Sequence, residues 1–546
     1  MGAGAFVEKK FENDTKMPQE INEGILLKIL KRNSRTEIGE IYNFKNIKSS
    51  EEFKEIFPIT DYEYYENYII RMAEGEENLL TSDKVEYFCH TSGTTGKQKL
   101  IPTTKRSRRS PSKYMGFLIN RFAYKEFKEK WNYGRGLMIA DIAMTSYTNG
   151  GYPVCSATSG GIKAIKPMLP YMYTSPMKVM EIKDKETSSY LHLLFALKEV
   201  NLLFINGVFI SNVVDLFRIL QENSNKLVED IRKGKVNRTI KLDENTRHKI
   251  NSYLTPDAGR ADELQRIFKQ GFKGVARKIW PNLLYIGSVT GANFSIYDDM
   301  LNYYTDNLPV YSPVYAATEG TIGINPFVKK IEYVIIPDTV YYEFIEEKDM
   351  NSKNPKTLCL GELKVGEKYE IILTNYMGLY RYRLGDVVRV VGKYNNTPTI
   401  EFLYRRNQVL NMVSEKTNEE HLTSAIKKTI ENLNVDMVDY TTVPDNSITP
   451  GRYVFYMEVK NFPLDKKDKL EKVLDKELRG ANLAYDRARA GKKLGRLKII
   501  LLRANTFKKI KGALTKNQVS QNQIKIPRVV TGKYDVIRIL EENTIK

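Results

Sequence analysis

The sequence contains few cysteines and few histidines, and this scarcity limits the kinds of site that it can build. Among its 546 residues are three cysteines, Cys89, Cys155 and Cys359, and four histidines. Because the cysteines are scattered, we expect no disulfide framework and a reducing compartment, the cytoplasm. The histidines lie far apart and form no Cys/His ligand spacing, so we predict no structural zinc.

Long uninterrupted apolar runs are also missing. No stretch approaches the roughly 18 apolar residues that predict a membrane span, and Met1–Lys10 lacks the charged-then-apolar layout of a signal peptide. Hydrophobic residues make up 42% of the chain and charged residues 28%, a balance typical of a folded protein. Because the chain exceeds the usual size of one hydrophobic core, we expect at least two domains and no membrane partner.

Acidic residues are outnumbered: 66 Asp and Glu face 85 Lys and Arg, which gives a formal net charge of +19. A basic surface can indicate nucleic-acid binding. Here the positive residues are spread along the whole chain, with the densest clusters at Lys105–Arg109 and Arg487–Arg496. A basic cleft would also suit ATP and a carboxylate substrate, so we expect no nucleic-acid partner.

Strand and helix patterns alternate through the first 330 residues. The short β-branched run Asn201–Gly207, for example, is followed by a helical pattern over Val208–Lys233. This alternation predicts a layered α/β core. From Tyr333 onward, short strands separated by turn residues predict a small antiparallel barrel-like subdomain over about residues 331–406.

The composition becomes more helical and more charged beyond about Asn407. Helical patterns there interleave with the strand patterns Tyr453–Val459 and Leu497–Leu502. We therefore predict a large N-terminal α/β domain over residues 1–410 and a small α+β C-terminal domain over residues 411–546, a usual domain size.

A loop rich in hydroxyl groups and glycine follows the strand pattern Val85–Cys89. It reads Thr91-Ser92-Gly93-Thr94-Thr95-Gly96-Lys97-Gln98-Lys99, and Leu100-Ile101-Pro102 then resumes an extended path. Its two glycines let the backbone approach a ligand, and its hydroxyls, amides and lysines suit a polyanion such as a nucleoside triphosphate. The Walker spacing is absent. A solvated Ser/Thr/Gly turn is the open alternative.

Three further stretches carry side chains suited to nucleotide chemistry. The strand-like Val314–Ala317 is followed by Thr318 and Glu319, a hydroxyl and a carboxylate that suit a phosphate and Mg²⁺. Asp386 follows a Gly turn and can accept two hydrogen bonds from ribose hydroxyls. Lys525 precedes Ile526-Pro527-Arg528. Taken singly, each stretch has an ordinary alternative. The Thr318-Glu319 pair could be only a turn, the run that ends at Asp386 a solvated strand, and Lys525 a surface lysine.

Together these stretches resemble the acyl-acid amido synthetases of the auxin-responsive promoter family. That family lies within the adenylate-forming superfamily. The segment Thr91–Gly96 looks like the phosphate loop of that superfamily. Tyr315–Glu319 is similar to the family's second motif, Tyr382–Asp386 matches its third, and Gln523–Arg528 is similar to its C-terminal motif. The similarity keeps motif order from about residue 20 to about residue 530.

The resemblance implies a two-step ligase that uses ATP and Mg²⁺. A carboxylic acid attacks the α-phosphate of ATP to give an acyl adenylate and pyrophosphate, and an amino acid or other amine then takes the acyl group to form an amide. The implied catalytic residues are Lys525, Glu319 and Thr318, and Glu319 is also the implied metal ligand. The C-terminal domain is implied to rotate between the steps, about a hinge near Asn411–Lys416.

The resemblance also implies two binding sets. Asp386 would fix the ribose and Tyr341 would stack on the adenine, within a nucleotide set of Ser92, Gly93, Thr94, Thr95, Lys99, Ala317, Thr318, Tyr341, Asp386, Arg406 and Lys416. The acyl pocket would be lined by parts of Tyr190–Leu194, with Leu194 itself, and by Val208, Phe209, Thr290 and Gly291. Core packing is an equal alternative for the acyl-pocket set.

Some features depart from the plant members of the family. The phosphate loop is one residue shorter, Ala317-Thr318 stands where plant members have two serines, and the segment that holds Lys416 is one residue shorter. We therefore predict a divergent branch and assume no plant hormone as substrate.

Three other functions stay open at this point. An acyl-CoA or carrier-protein ligase would share the first step, a catalytically silent nucleotide-binding scaffold would keep only the fold, and a nucleic-acid-binding protein would use the positive charge. The Gly378–Arg383 run and Lys525–Arg528 favour the amide-forming family, and intact Glu319, Asp386 and Lys525 argue against a silent scaffold. We expect a monomer.

Overall fold

The computed structural model describes residues 2–91, 99–140, 142, 146–290, 297–406, 410, 412–413, 415–515, 524–530 and 534–545. Within these ranges the helices are α1 (Gly2–Asp14), α2 (Pro18–Arg32), α3 (Glu37–Ile41), α4 (Ser50–Ile56), α5 (Tyr62–Glu74), α6 (Lys105–Lys113), α7 (Ile119–Glu126), α8 (Ala157–Ala164), α9 (Leu169–Met172), α10 (Met177–Met180), α11 (Lys185–Lys198), α12 (Ile210–Lys233), α13 (Glu244–Asn251), α14 (Ala258–Lys269), α15 (Val275–Ile279), α16 (Asp298–Thr305), α17 (Glu419–Leu433), α18 (Lys467–Ala481), α19 (Leu483–Ala490), α20 (Thr506–Thr515) and α21 (Tyr534–Glu542).

The strands alternate with these helices through the first half of the chain and cluster in the second half. They are β1 (Val85–Thr91), β2 (Lys99–Thr104), β3 (Gly136–Ile139), β4 (Ser146–Tyr147), β5 (Pro153–Cys155), β6 (Phe204–Phe209), β7 (Tyr285–Val289), β8 (Val310–Tyr311), β9 (Val314–Ala317), β10 (Gly320–Ile324), β11 (Tyr333–Ile335), β12 (Tyr341–Glu346), β13 (Lys368–Thr374), β14 (Tyr382–Tyr394), β15 (Thr397–Arg405), β16 (Asp436–Asp445), β17 (Arg452–Lys460) and β18 (Lys498–Leu502).

In the described part of the chain these strands form four sheets. Two of them build the α/β portion: the mixed sheet β2-β1-β5-β4 and the parallel sheet β3-β6-β7-β8. Parallel strands need long crossovers, and α11 and α12 flank β6 along the chain in this way. The mixed α/β architecture agrees with the layered fold predicted from the sequence.

Helix α11 is buried almost all round, although only half of its side chains are apolar. It packs into a hydrophobic cluster that also takes residues from α12 and from β3 and β6. This cluster fixes the parallel sheet and therefore the start of α12, immediately after β6.

The sheet predicted as a small barrel is an open antiparallel sheet in the order β12-β13-β14-β15-β11-β10-β9. Its register does not pair β12 with β9 within the described strands, so it is not closed. It also begins earlier than predicted, because the hairpin β9–β10 adds residues 314–324 to one edge. The active-site carboxylates described below lie on this sheet.

The last part of the chain has its own sheet, β16-β17-β18, and we call residues 415–545 the C-terminal unit. Helix α17 begins with a capping box in which the Asn418 side chain accepts from the backbone N–H of His421. Apolar residues of α17, α18 and β16–β18 continue the cluster around α11 and α12, so the unit packs against the parallel-sheet portion.

Two further observations concern the whole described structure. The cysteines Cys89, Cys155 and Cys359 are buried and form no disulfide bond with one another. Among the described helices, none is long and apolar enough to cross a membrane.

Candidate active site

Asp386 lies at the centre of a buried polar cluster. The register of β14 with β15 places it opposite Arg405, whose Nε donates to Asp386 Oδ1 at 2.6 Å. The hydroxyl of Tyr315, on β9, donates to Asp386 Oδ2 at 2.8 Å. Only 2% of Asp386 is exposed, and its charge raises the pKa of Arg405. Each carboxylate oxygen has two lone pairs, so one acceptor site on each remains for a ribose hydroxyl.

Glu319 lies at the turn between β9 and β10, where Ala317 pairs with Gly320. The amide of Asn375 donates to the Glu319 carbonyl at 2.8 Å, and the Tyr382 hydroxyl lies 3.5 Å from Glu319 Oε1. Burial raises the pKa of Glu319, although the positive charges of Arg405 and Lys99 partly offset this effect. Glu319, Asp386, Arg405 and Lys99 therefore belong to one electrostatic site.

The predicted phosphate loop connects two paired strands at this site. β1 ends at Thr91 and β2 begins at Lys99, and these two residues are partners in the antiparallel register. The ammonium of Lys99 lies 5.0 Å from the centre of the Tyr62 ring. Ser92, Gly93, Thr94 and Thr95 lie outside the described residues, so their predicted role stays a prediction.

The two remaining residues of the predicted Thr-Glu motif lie where the sequence places them. Ala317 ends β9 and packs partly buried against the hydrophobic cluster beneath the open sheet. Thr318 precedes Glu319 in the turn and is half-buried. The hairpin thus presents Thr318 and Glu319 side by side.

Arg406 does not contact this cluster. Its guanidinium donates to Glu370 Oε2 at 2.9 Å and to Asn351 Oδ1 at 3.1 Å. The prediction that Arg406 lies at this site is corrected: Arg405, the last residue of β15, contacts Asp386, whereas Arg406 follows the strand and bonds Glu370.

Tyr341 does not fit its predicted role of stacking on adenine. Only 1% of it is exposed, and it packs in the hydrophobic cluster with Tyr342 and Phe344. Burial raises the pKa of its hydroxyl, which lies near Ser50 and Cys359. A ring enclosed by core side chains has no open face for a base, so we correct this prediction.

The predicted acyl pocket divides into core residues and open residues. Leu194 is completely buried in the cluster around α11. Tyr190 is also buried, and its hydroxyl donates to Asp230 Oδ2 at 2.7 Å. These two are core residues, as the packing alternative predicted. Val208 and Phe209, at the end of β6, are half-buried.

Thr290 follows β7 and is also half-buried, whereas Gly291 lies outside the described residues. Because β6 and β7 are parallel neighbours, Val208, Phe209 and Thr290 lie at the same edge of the sheet. The carboxyl edge of parallel strands is where ligands bind in open α/β sheets. Val208, Phe209 and Thr290 therefore remain candidates.

Lys525 and Lys416 belong to the C-terminal unit and its connection. The ammonium of Lys525 lies 2.9 Å from Glu419 Oε2, at the start of α17. Lys416 is exposed and has a positive φ of 45°, which is uncommon for a residue other than glycine. Leu410 and Thr417 pair through their backbones, so the residues that flank the predicted hinge lie side by side.

Sequence reasoning missed Arg405, Tyr315 and Tyr382 as members of the site. All three were within motifs that had been recognised, but their roles depend on which face of a strand each occupies. The register of β14 and β15 supplies that information, and a single-residue slip would reverse it.

The donor set fits Mg²⁺ bound together with a nucleotide. Mg²⁺ usually takes one or two protein carboxylates, since phosphate and water oxygens fill its other positions. Glu319 supplies one such carboxylate. Across the ranges that the structure describes, no group of three or more His, Cys, Asp or Glu side chains is arranged to hold a metal alone.

Family comparisons account for most of the chain. Residues 7–310 match the GH3 family N-terminal domain, residues 333–405 match the GH3 family central domain, and residues 420–533 match the GH3 family C-terminal domain. The chain belongs to the GH3 family.

Full-length relatives agree with this assignment. The probable indole-3-acetic acid-amido synthetase GH3.11 of Oryza sativa subsp. japonica is 32% identical, over 97% of this chain and 94% of that protein. The 4-substituted benzoates-glutamate ligase GH3.12 of Arabidopsis thaliana is 31% identical, over 98% of this chain and 96% of that protein.

Solved structures give the same result. The GH3.15 acyl acid amido synthetase superposes with a TM-score of 0.87 at 27% identity, covering 98% of this chain and 95% of that one. A 2-hydroxyisobutyryl-CoA ligase, at a TM-score of 0.55 and 10% identity, shares the fold. The predicted class, an acyl-acid amido synthetase, is confirmed.

Proposed function

We propose that this GH3 protein is an AMP-forming ligase that adenylates a carboxylic acid with ATP and Mg²⁺ and then transfers the acyl group to the amine of an amino acid. The observation that carries the proposal is the cluster in which the buried carboxylates Asp386 and Glu319 lie with Arg405 and Tyr315, because it combines a candidate ribose acceptor with a candidate metal-binding carboxylate. The reaction needs positioning and charge neutralisation more than covalent help from the protein.

In the first step the nucleotide is held by groups from the mixed sheet β2-β1-β5-β4 and from the open sheet. Asp386 accepts from the ribose hydroxyls, and the hydrogen bond from Arg405 holds that carboxylate in place. Lys99 and the loop Ser92–Thr95 neutralise the phosphates, and Thr318 contacts the α-phosphate. Glu319 would hold Mg²⁺, which would supply charge neutralisation at the phosphates. Lys525 neutralises the charge that develops as the acid attacks.

The acid lies at the carboxyl edge of β6 and β7, beside Val208, Phe209 and Thr290. These apolar and hydroxyl-bearing groups fit an organic acid with an apolar body. Loss of pyrophosphate leaves an acyl adenylate, which the closed site keeps from water. In the second step an amino acid's amine attacks the acyl carbon and AMP leaves.

The two steps use one chain divided into an N-terminal domain over residues 1–410 and a mobile C-terminal domain over residues 411–546. The division is supported by the separate sheet β16-β17-β18 and by the loop at Leu410–Thr417. Rotation about this loop would carry Lys525 toward and away from the nucleotide.

Isotope transfer from the acid tests the proposal. A panel of aryl, indolyl and aliphatic acids labelled with ¹⁸O in the carboxylate is incubated with ATP, Mg²⁺ and mixed amino acids. The proposal predicts an amide and AMP that carries one ¹⁸O atom, since the acid oxygen stays on the phosphate. Formation of ADP, or of unlabelled AMP beside the amide, would reject it. CoA in place of amino acids tests the thioester alternative.

A further inference from the structure

The C-terminal unit contains a long stretch with no acidic residue. From Arg487 to Lys533 the sequence has fourteen Lys and Arg and no Asp or Glu. Like charges in such a stretch repel one another unless carboxylates from elsewhere lie close. The structure supplies two of those carboxylates, Glu186 and Asp215, from the N-terminal part of the chain.

Helix α20 makes two of these contacts. Lys511 Nζ lies 3.1 Å from Asp215 Oδ2, on α12, and Lys508 Nζ lies 2.8 Å from Glu186 Oε2, on α11. Lys185 also contacts Asp215 Oδ2, at 2.9 Å. The Lys508–Glu186 pair is exposed and contributes little to the stability of the contact, whereas the Lys511–Asp215 pair is partly buried.

The charge of Asp215 is stabilised by these partners. Burial alone would raise its pKa, but Lys511 and Lys185 hold the pKa of Asp215 below its ordinary value. The carboxylate is therefore ionised at neutral pH, and its bond to α20 persists across the physiological range.

A second contact lies deep in the interface. The hydroxyl of Tyr297, just before α16, donates to Asp439 Oδ2 on β16 at 2.7 Å. Asp439 also pairs with Arg528, whose guanidinium lies over the Tyr440 ring at 4.5 Å. Tyr297 and Arg528 are both buried, so this bond is shielded from water.

These contacts determine where the Lys525 segment lies. Arg528 is three residues from Lys525, in the described segment 524–530. Tyr297 precedes α16 in the N-terminal part of the chain. The contacts Tyr297–Asp439 and Asp439–Arg528 therefore connect the Lys525 segment to the N-terminal part.

We propose that Tyr297 and Asp215 are positioning residues that hold the C-terminal unit in the orientation used for adenylation. They act through Asp439 and Lys511, and both bonds break when the unit rotates for amide formation. This inference rests on the two-step reaction proposed above. Weakening either bond lowers the population of the adenylation orientation without touching the nucleotide or the acid.

The first test compares two tyrosines near α16. Tyr297→Phe removes the hydroxyl that bonds across the interface, and Tyr304→Phe removes a hydroxyl that bonds Gln221 within the N-terminal part at 2.9 Å. We expect Tyr297→Phe to slow acid-dependent pyrophosphate exchange, because losing one hydrogen bond to a charged acceptor shifts the equilibrium between the two orientations about tenfold. Amide formation from presynthesised acyl adenylate should stay within about twofold of wild type, and Tyr304→Phe should change neither rate.

The second pair tests the charge contact on α20. Lys511→Met removes the bond to Asp215, and Lys509→Met removes a lysine that bonds Asn543 inside the C-terminal unit. Only Lys511→Met should reduce the ratio of the adenylation rate to the rate of amide formation from acyl adenylate. A ratio equal to wild type in both Lys511→Met and Tyr297→Phe would overturn the proposal.

A distance measurement separates this inference from the proposed function. Spin labels are placed at Lys233→Cys and Lys493→Cys, two exposed positions on either side of the interface, since the native cysteines are buried. We expect one dominant distance in the wild-type background and a second or broadened distribution in Tyr297→Phe. An unchanged distribution would contradict the positioning role. If no acid reacted but Tyr297→Phe still shifted the distance distribution, only the proposed function would be rejected.

Discussion

The guanidinium of Arg405 and the carboxylate of Asp386 form a direct pair across adjacent strands, with Nε and Oδ1 2.6 Å apart. The neighbouring Arg406 follows the strand and bonds Glu370. These two adjacent arginines thus have different partners, and this difference can be tested.

Arg405→Ala should raise the KM for ATP by about tenfold or more, because a charge-assisted hydrogen bond that orients Asp386 is lost. Arg406→Ala serves as the matched control and should leave the KM for ATP within about twofold. Steady-state pyrophosphate exchange measures both, and circular dichroism checks that each variant is folded. Equal effects of the two substitutions would contradict the assignment of Arg405.

Glu319→Gln should reduce adenylation about a hundredfold and raise the Mg²⁺ concentration needed for half-maximal rate, since the amide replaces an anionic ligand. Glu401→Gln removes a carboxylate that pairs with Arg389 on the same sheet and should have little effect. Because the pKa of Glu319 is raised, wild-type activity should fall with acid at a higher pH than an ordinary glutamate would cause. Titrations of Mg²⁺ and pH provide the readout.

Tyr341 should contribute to stability and not to nucleotide binding. Tyr341→Ala is expected to lower the free energy of unfolding by about 3 to 5 kcal/mol, as for other buried aromatic residues. Tyr341→Phe keeps the buried ring and should leave the KM for ATP unchanged. Urea unfolding and nucleotide titration check the two parts, and a large rise in KM for Tyr341→Phe would restore a binding role.

The environment of His192 should make the free energy of unfolding of the protein depend on pH. It is 1% exposed, its Nδ1 lies 2.7 Å from the Ser175 hydroxyl, and burial lowers its pKa to about 4. The unfolded chain binds the proton more readily between the ordinary histidine pKa and about 4, so stability falls with acid in that window. The free energy of unfolding should drop by about 2 kcal/mol from pH 7 to pH 5 through this group.

Urea unfolding at both pH values measures this effect, and His192→Gln should remove that share of the pH dependence. His248, exposed on α13, offers a matched control as His248→Gln, which should keep the wild-type dependence. The same acid sensitivity in His192→Gln would contradict the account.

Lys525→Ala should slow the adenylation half-reaction and leave the amide-forming half-reaction largely intact. Loss of its ammonium is expected to slow acid adenylation by about a hundredfold, because the charge it neutralises develops in that step. Transfer from presynthesised acyl adenylate to an amino acid should be much less affected. Single-turnover measurements of each step provide the comparison, and equal losses in both would indicate a general structural role.

The motifs were readable from the sequence because their residue types and spacing are unusual. The alternation of strand and helix predicted the α/β core, and the Thr318–Glu319 pair was correctly placed at a turn. Side-chain direction was not readable. Arg405 and Arg406 differ in their partners, Asp386 and Glu370, and Tyr341 differs from an open aromatic residue only in its neighbours.

Which acyl-pocket residues are buried could not be predicted from the sequence either. Leu194 and Phe209 are both apolar, yet one is enclosed by α11 packing and the other lies at a sheet edge. Only the packing of α11 against α12 and the parallel sheet distinguishes them. Long-range contacts such as Tyr297–Asp439 carry no local sequence signal, because 142 residues separate the partners.

Acid-dependent exchange of labelled pyrophosphate into ATP, measured without any amine, tests the central claim most directly. The account predicts exchange with at least one aryl, indolyl or aliphatic acid in the presence of Mg²⁺. It also predicts loss of that exchange in Asp386→Ala while the fold is retained. Absence of exchange with every acid, in a folded protein that binds ATP, would contradict the proposed adenylation.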